Sequence, residues 1–206
     1  MASVLVWITC RNYEEWLLEA HRSAVRQRLS GMMVEVAHDA CGSSNPIGVS
    51  ANRNLVLSHP WSEKCQYVIF LDADDTIPPN YASELVRIAD GDDCVVACGA
   101  QLFGDESRNV PVATPVNLQT LLVSNTVHCS ALIPIKHFRA VDGFHIGLRS
   151  HEDWELWCRL AARGVEFRTC HGTHLNYRRH AGSRSKLAPE GFWEMKKQLN
   201  GEYWRA

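Results

Sequence analysis

Residues Tyr67-Val68-Ile69-Phe70-Leu71 form an unbroken apolar run that ends abruptly in Asp72-Ala73-Asp74-Asp75. A strand that is apolar at every position must be covered on both faces, as a central strand of an α/β sheet is. The flanking pattern agrees. Val4 to Thr9 and Met33 to Ala37 read as further strands. Between them Trp16, Leu17, Ala20, Ala24 and Val25 recur at helical spacing over Tyr13 to Leu29, with Ser30-Gly31 as the stop. A loop over Gly42 to Pro46, a short helix through Arg53 to Leu57, and a helix opened by Pro78-Pro79 and carried by Leu85, Val86 and Ile88 continue the alternation. This rhythm predicts a Rossmann-like, mostly parallel central sheet flanked by helices, with right-handed crossovers.

The second half is less regular. Val95 to Leu102 and Ser130 to Ile135 are strand candidates, separated by a polar loop or hairpin over Gly104 to Val116. His151 to Ala162 places Trp154, Leu156, Trp157, Leu160 and Ala161 on one side of a helix stopped by Gly164. Val165 to Phe167 and Leu175 to Tyr177 read as two short strands, and Pro189 to Trp204 as a closing helix. With 206 residues and no repeat or linker, the chain reads as one compact domain.

Composition narrows the classes of function. A formal net charge of -2 supplies no basic field for a nucleic acid backbone. No apolar run approaches the roughly 20 residues that span a bilayer, and the first residues lack the basic segment of a signal peptide. Eight cysteines without a C-x-x-C pair suit reduced, packed thiols and a cytoplasmic location. Cys170, His171, His174 and His180 cluster locally, but no ligands at finger spacing precede them, and a structural zinc site is not expected.

Three features can carry chemistry. The carboxylates of Asp72, Asp74 and Asp75 follow a buried strand, at the sheet edge where open α/β folds bind ligands. Carboxylates so close repel one another unless a cation neutralises them, and oxygen ligands suit Mg²⁺ or Mn²⁺. The plain alternative is an acidic turn preceding a helix. The second feature is Glu152-Asp153 at the start of the tryptophan-rich helix, a position where acids are common without any chemistry. The third is Tyr177 to Lys186, where Arg178, Arg179, His180, Arg184 and Lys186 alternate with Gly and Ser in a segment suited to a diphosphate. His180 stays open between cation ligand, phosphate contact and surface residue.

In this order the features resemble family 2 glycosyltransferases of GT-A fold, over Val4 to about Ser185. Val6 to Tyr13 is similar to the family's opening strand and nucleotide-contacting turn, with Thr9 and Asn12 as donor-binding positions. Asp39 matches the acid that contacts the base, with His38 where a second Asp is frequent. Asn52-Arg53-Asn54 is similar to the segment lining the donor site. Asp72-Ala73-Asp74-Asp75 resembles the metal motif. Asp142-Gly143-Phe144 followed by Glu152-Asp153-Trp154 resembles the acceptor-side segment. The resemblance divides the chain into a nucleotide-sugar half (1–103), an acceptor and catalytic half (104–188) and a C-terminal helix (189–206). It implies an inverting transfer of a sugar from a nucleotide diphosphate to an acceptor hydroxyl, with Mn²⁺ or Mg²⁺ as cofactor. Asp153 would be the base, and Asp74, Asp75 and His180 the metal ligands. Arg53, Asp72, Arg178 and Arg179 would sit on the donor, and Gly143, Phe144, Glu152 and Trp154 on the acceptor side. The acceptor stays open between glycan, lipid-linked sugar, protein and modified nucleobase.

Two rivals are kept. Asp72-Ala73-Asp74-Asp75-Thr76 also fits the nucleophile motif of haloacid dehalogenase-like phosphatases, with Asp72 as nucleophile. A GT-A-like module that binds a nucleotide or glycan without transferring anything is the other.

Overall fold

The computed structural model of the chain describes residues 2–39, 47–148 and 150–182. The expected loop at Gly42 to Pro46, residues 183–186 of the basic segment and the closing helix lie outside them.

Among the described residues seven strands form one sheet: β1 (Val4–Cys10), β2 (Met32–His38), β3 (Tyr67–Asp72), β4 (Val95–Gly104), β5 (Arg108–Val110), β6 (Leu132–Pro134) and β7 (Phe167–Arg179). The order is β2-β1-β3-β6-β4-β5, with β7 on β4. The long pairings β1–β2, β1–β3 and β4–β7 are parallel. Short β6 enters antiparallel between β3 and β4, and β5 folds back on β4, the hairpin of the two forms expected there.

Helices cover both faces, which explains why β3 is apolar throughout. On one side α1 (Glu14–Val25) and α3 (Tyr81–Ala89) pack Ala20, Ala24, Leu85 and Ala89 on Val4, Val6, Ile8, Ile69 and Leu71. On the other, α5 (Ile135–Ala140) and α6 (Glu152–Ala162) bury Phe138, Leu156, Trp157 and Leu160 against Leu5, Trp7, Val68 and Phe70. Short α2 (Val49–Asn54) and α4 (Leu118–Leu121) complete that layer. Gly164, at φ 77°, closes α6 in a Schellman motif: the Gly164 and Val165 amides donate to the Ala161 and Leu160 carbonyls.

Several boundaries differ from the sequence reading. α1 stops at Val25 because the next residues dock elsewhere: Arg28 N–H donates to the Pro79 carbonyl and the Gln27 amide to that of Pro78. Those prolines therefore precede α3, which starts at Tyr81 behind Asn80. The two short strands expected near 165 and 175 belong to one strand, β7. Its pairing with β4 shifts register between Cys98 and Gly99, which leaves His171 to Thr173 unpaired and hides the continuity.

Candidate functional site

The carboxyl ends of β1 and β3 lie side by side, so Thr9 and Asp72 are register partners. Thr9 Oγ1 donates to Asp72 Oδ1 at 2.8 Å, and the Ala73 amide donates to the Thr9 carbonyl. The Asp75 amide then returns to the Asp72 carbonyl at 3.0 Å, closing a tight turn over 72–75. Each of Asp72, Asp74 and Asp75 offers an oxygen within 4.8 Å of the others.

β7 and the residue that follows it hold this turn from the side with every second residue, the period of a strand. Asn176 exchanges backbone hydrogen bonds with Thr76. The Arg178 amide donates to Asp75 Oδ1 at 2.8 Å, and the Arg178 Nε to the Asp74 carbonyl. His180 Nε2 meets Asp74 Oδ2 at 3.1 Å. Because the Gly182 amide donates to His180 Nδ1, the ring proton sits on Nε2 and points at the carboxylate. Tyr13 and Trp16 flank the imidazole, with ring centroids 5.3 and 4.6 Å away.

Electrostatics set these acids apart. Burial, then the charges of Asp74 and Asp72, pushes the Asp75 carboxyl well above the usual range, and only Arg178 opposes this. Asp74 is raised by burial and by Asp72, against its hydrogen bond from His180. Three converging carboxylates, two of them raised by burial and by their acidic neighbours, are hard oxygen donors that fit a divalent cation such as Mg²⁺ or Mn²⁺. The three converging acids are Asp72, Asp74 and Asp75, so His180 enters as the partner of Asp74, outside that trio.

Arg53 links this turn to the start of α6. It is 2% exposed, with one terminal nitrogen on Asp72 Oδ1 at 2.7 Å and the other on Glu152 Oε1 at 3.0 Å. Burial alone would lower its pKa, but the charges of Asp72 and Glu152 more than reverse this. Next in the chain, Asp153 Oδ1 accepts the Trp154 amide and Oδ2 the Asn125 side chain. Burial, then the Glu152 charge, lifts Asp153 to about 6.

The remaining expected residues take defined places. Asp39 is buried and accepts the Ile47 and Gly48 amides, which fixes the entry to α2. Asn12, at φ 60°, makes the exposed turn between β1 and α1. Arg178 is spoken for by Glu19 and by the rings of Trp16 and Phe103, while Arg179 pairs with Glu106. Trp154 is packed in the core and donates its ring N–H to the Leu121 carbonyl, so it forms a wall instead of an open stacking surface. Gly143 and Phe144 are clamped by Asn54, whose amide exchanges hydrogen bonds with both backbone groups of Phe144 at 2.8 Å. Asn54 was expected on the donor side and stands at the Phe144 backbone, whereas Asn125 and Cys129, whose thiol reaches Asp72 Oδ2 at 3.6 Å, were outside the sequence-based site. Asn125 and Cys129 are single residues in irregular segments, with no spacing to mark them. Cys170, His171 and His174 lie along β7 and do not converge among the described residues.

Fold and site together define a GT-A domain: a central α/β sheet with an acidic turn at the carboxyl end of its middle strand. Residues 43–153 match the family model described as Glycosyl transferase family 2, and the chain belongs to that family. This sets aside the phosphatase alternative. An uncharacterized glycosyltransferase of Rickettsia bellii is 25% identical over 186 residues, covering 76% of this chain and 27% of the relative. Its counterpart in Rickettsia felis is 23% identical, with 76% and 31% covered. The chain thus spans under a third of the length of these curated relatives. Among solved structures, TarS of S. aureus (residues 1–349) in complex with UDP-GlcNAc is 16% identical with a TM-score of 0.77, over 96% of this chain and 65% of that one. The mannosyltransferase PcManGT from Pyrobaculum calidifontis, in complex with GDP-Man and Mn²⁺, is 12% identical with a TM-score of 0.72, over 97% and 64%.

Among the described residues no helix is long and apolar enough to cross a membrane.

Proposed function

We propose that the protein is an inverting, metal-assisted glycosyltransferase that moves a sugar from a nucleotide diphosphate donor to an acceptor hydroxyl. One observation carries this reading: buried Arg53 ties the acidic turn at Asp72 to Glu152 at the start of α6, and its charge also acts on Asp153 next to Glu152. The relatives bear on the donor, since UDP-GlcNAc and GDP-Man are both nucleoside diphosphate sugars. Asp74 and Asp75, with Asp72, would hold Mn²⁺ or Mg²⁺, which supplies electrostatic stabilisation of the charge that develops on the departing diphosphate. His180 holds the Asp74 carboxylate, and Arg178 holds the turn. Thr9, Asn12, Asp39 and Arg53 border the donor side.

Across the site, Asp153 takes the acceptor proton onto its carboxylate as the new C–O bond forms and the bond to the diphosphate oxygen breaks. Attack opposite the leaving group inverts the anomeric carbon, as in inverting glycoside hydrolysis. A pKa of about 6 keeps Asp153 ionised at neutral pH while making it a better base than an ordinary carboxylate. Gly143 and Phe144 shape the acceptor side, held by Asn54 and by Arg159 at the Gly143 carbonyl. Eight cysteines without a C-x-x-C pair suit a reducing, cytoplasmic compartment.

Incubation with a panel of UDP- and GDP-sugars, simple glycosides and Mn²⁺, read as released nucleotide, tests the reading. Release is expected with at least one donor and is lost without the divalent ion. Tight nucleotide binding with no turnover of any donor would support the non-catalytic module instead.

A further inference from the structure

Beside the acidic turn, β1 and β2 end together, and their last residues are in register, Cys10 against His38. Neighbours on a parallel pair project to the same face. Here that face is the one under α1, because Val4, Val6, Ile8 and Cys10 pack with Ala20 and Ala24. α1 starts at Glu14, one turn beyond the end of β1. Three elements thereby bring together a thiol, an imidazole and a carboxylate whose ligand atoms lie within 4.8 Å of one another. Cys10 is 1% exposed at the bottom of this group, whereas Glu14 and His38 stand exposed at its rim.

We propose that Cys10, Glu14 and His38 form a second divalent-metal site, selective for zinc. Sulfur, nitrogen and oxygen together favour a borderline-soft ion, in contrast to the all-oxygen set of Asp72, Asp74 and Asp75. Tetrahedral zinc, with bonds of about 2.0–2.3 Å, needs its ligand atoms roughly 3.5 Å apart. Rotation of the two exposed side chains closes that gap, and the open rim leaves the fourth position to water. Binding forms a Zn–S bond and releases the Cys10 thiol proton to solvent. The site clips two segments together: Asn12 lies between Cys10 and Glu14, and Asp39 follows His38 with its amide on the Cys10 carbonyl at 3.0 Å. Both segments border the proposed donor pocket, so zinc would fix its outer edge; the existence of the site does not depend on that reading.

Co²⁺ titration of the metal-stripped full chain tests the site. Its readout is the near-ultraviolet thiolate-to-cobalt charge-transfer band, which the carboxylates of the acidic turn cannot produce. Competition with a chromophoric chelator gives the zinc affinity. The wild type is expected to show the band and to prefer zinc over Mg²⁺. Cys10→Ser should remove the band. The surface variants His38→Ala and Glu14→Gln should weaken zinc binding by more than about tenfold, since even outer-shell changes at metal sites cost 10–100-fold. Asp75→Asn should keep the band, so failure of the acidic turn and failure of this site register separately. No band in the wild type, or a band and zinc affinity unchanged in His38→Ala and Glu14→Gln, overturns the proposal.

Discussion

A carboxyl group that takes a proton at neutral pH must be lifted from its ordinary pKa near ~4 and still be held ionised. Asp153 meets both demands through named neighbours. Burial and Glu152 raise it to about 6, while Arg53, the Trp154 amide and the Asn125 side chain favour its charged form. Replacement by Asn keeps the shape and removes the basic oxygen. Asp153→Asn should therefore cut turnover by about 10²–10⁴-fold, the usual contribution of a positioned base, with donor binding in calorimetry unchanged. Wild-type turnover in that variant would refute the assignment. The pH profile follows with its sign: below about 6 Asp153 is protonated and idle, so kcat/KM should fall as pH drops through that value. An unshifted aspartate would put the limb near ~3.9, and a limb there would contradict the burial argument. Asn125 and Arg53 could not be tied to Asp153 from the sequence, because their separation along the chain says nothing about meeting in a loop and a buried ion pair.

Elements position these side chains through a few narrow fits. Gly143 has φ 71°, and a Cβ added there would lie 2.3 Å from Asn54 Oδ1. Asn54 cannot withdraw without losing both of its bonds to Phe144. Gly143→Ala combines backbone strain with a broken clamp and should destabilise the fold by about 2–4 kcal/mol, measured by urea unfolding. A midpoint equal to wild type would show that the clamp yields freely. β3, α6 and the β1–α1–β2 unit were legible in the sequence because each has one face or both in the core, which leaves a period of two, of 3.6 or an unbroken run. β7 was not. It and the residue after it carry the fasteners of the acidic turn, Asn176, Arg178 and His180, but these are polar, and the interruption at His171 to Thr173 breaks the alternation. What reads as a basic phosphate loop is in part a strand whose Arg178 serves Asp74, Asp75 and Glu19.

At the scale of the molecule, the carboxyl end of the sheet crowds the three acids of one turn into a cluster that a bound cation would relieve. Asp72, Asp74 and Asp75 repel one another, and burial weakens the solvent's relief of that repulsion. A nucleoside diphosphate bound together with Mn²⁺ should raise the melting temperature, since its added stability grows with the logarithm of its concentration over Kd and reaches about 2.7 kcal/mol at 100 times Kd. Either component alone should do less, and equal shifts from nucleotide with and without the ion would argue against a joint site. The order of the motifs along the chain made this edge legible, whereas the insertion of antiparallel β6 and the Arg53 bridge emerged only from tertiary structure. The most direct test is calorimetry of UDP and GDP with Mn²⁺, with Mg²⁺ and with chelator, on the wild type and on Asp74→Asn and Asp75→Asn. At least one nucleotide should bind the wild type only with a divalent ion, and either substitution should abolish that dependence along with most of the affinity. Equal affinity in chelator, or in both variants, would contradict the claim that the acidic turn grips a cation and, through it, the diphosphate.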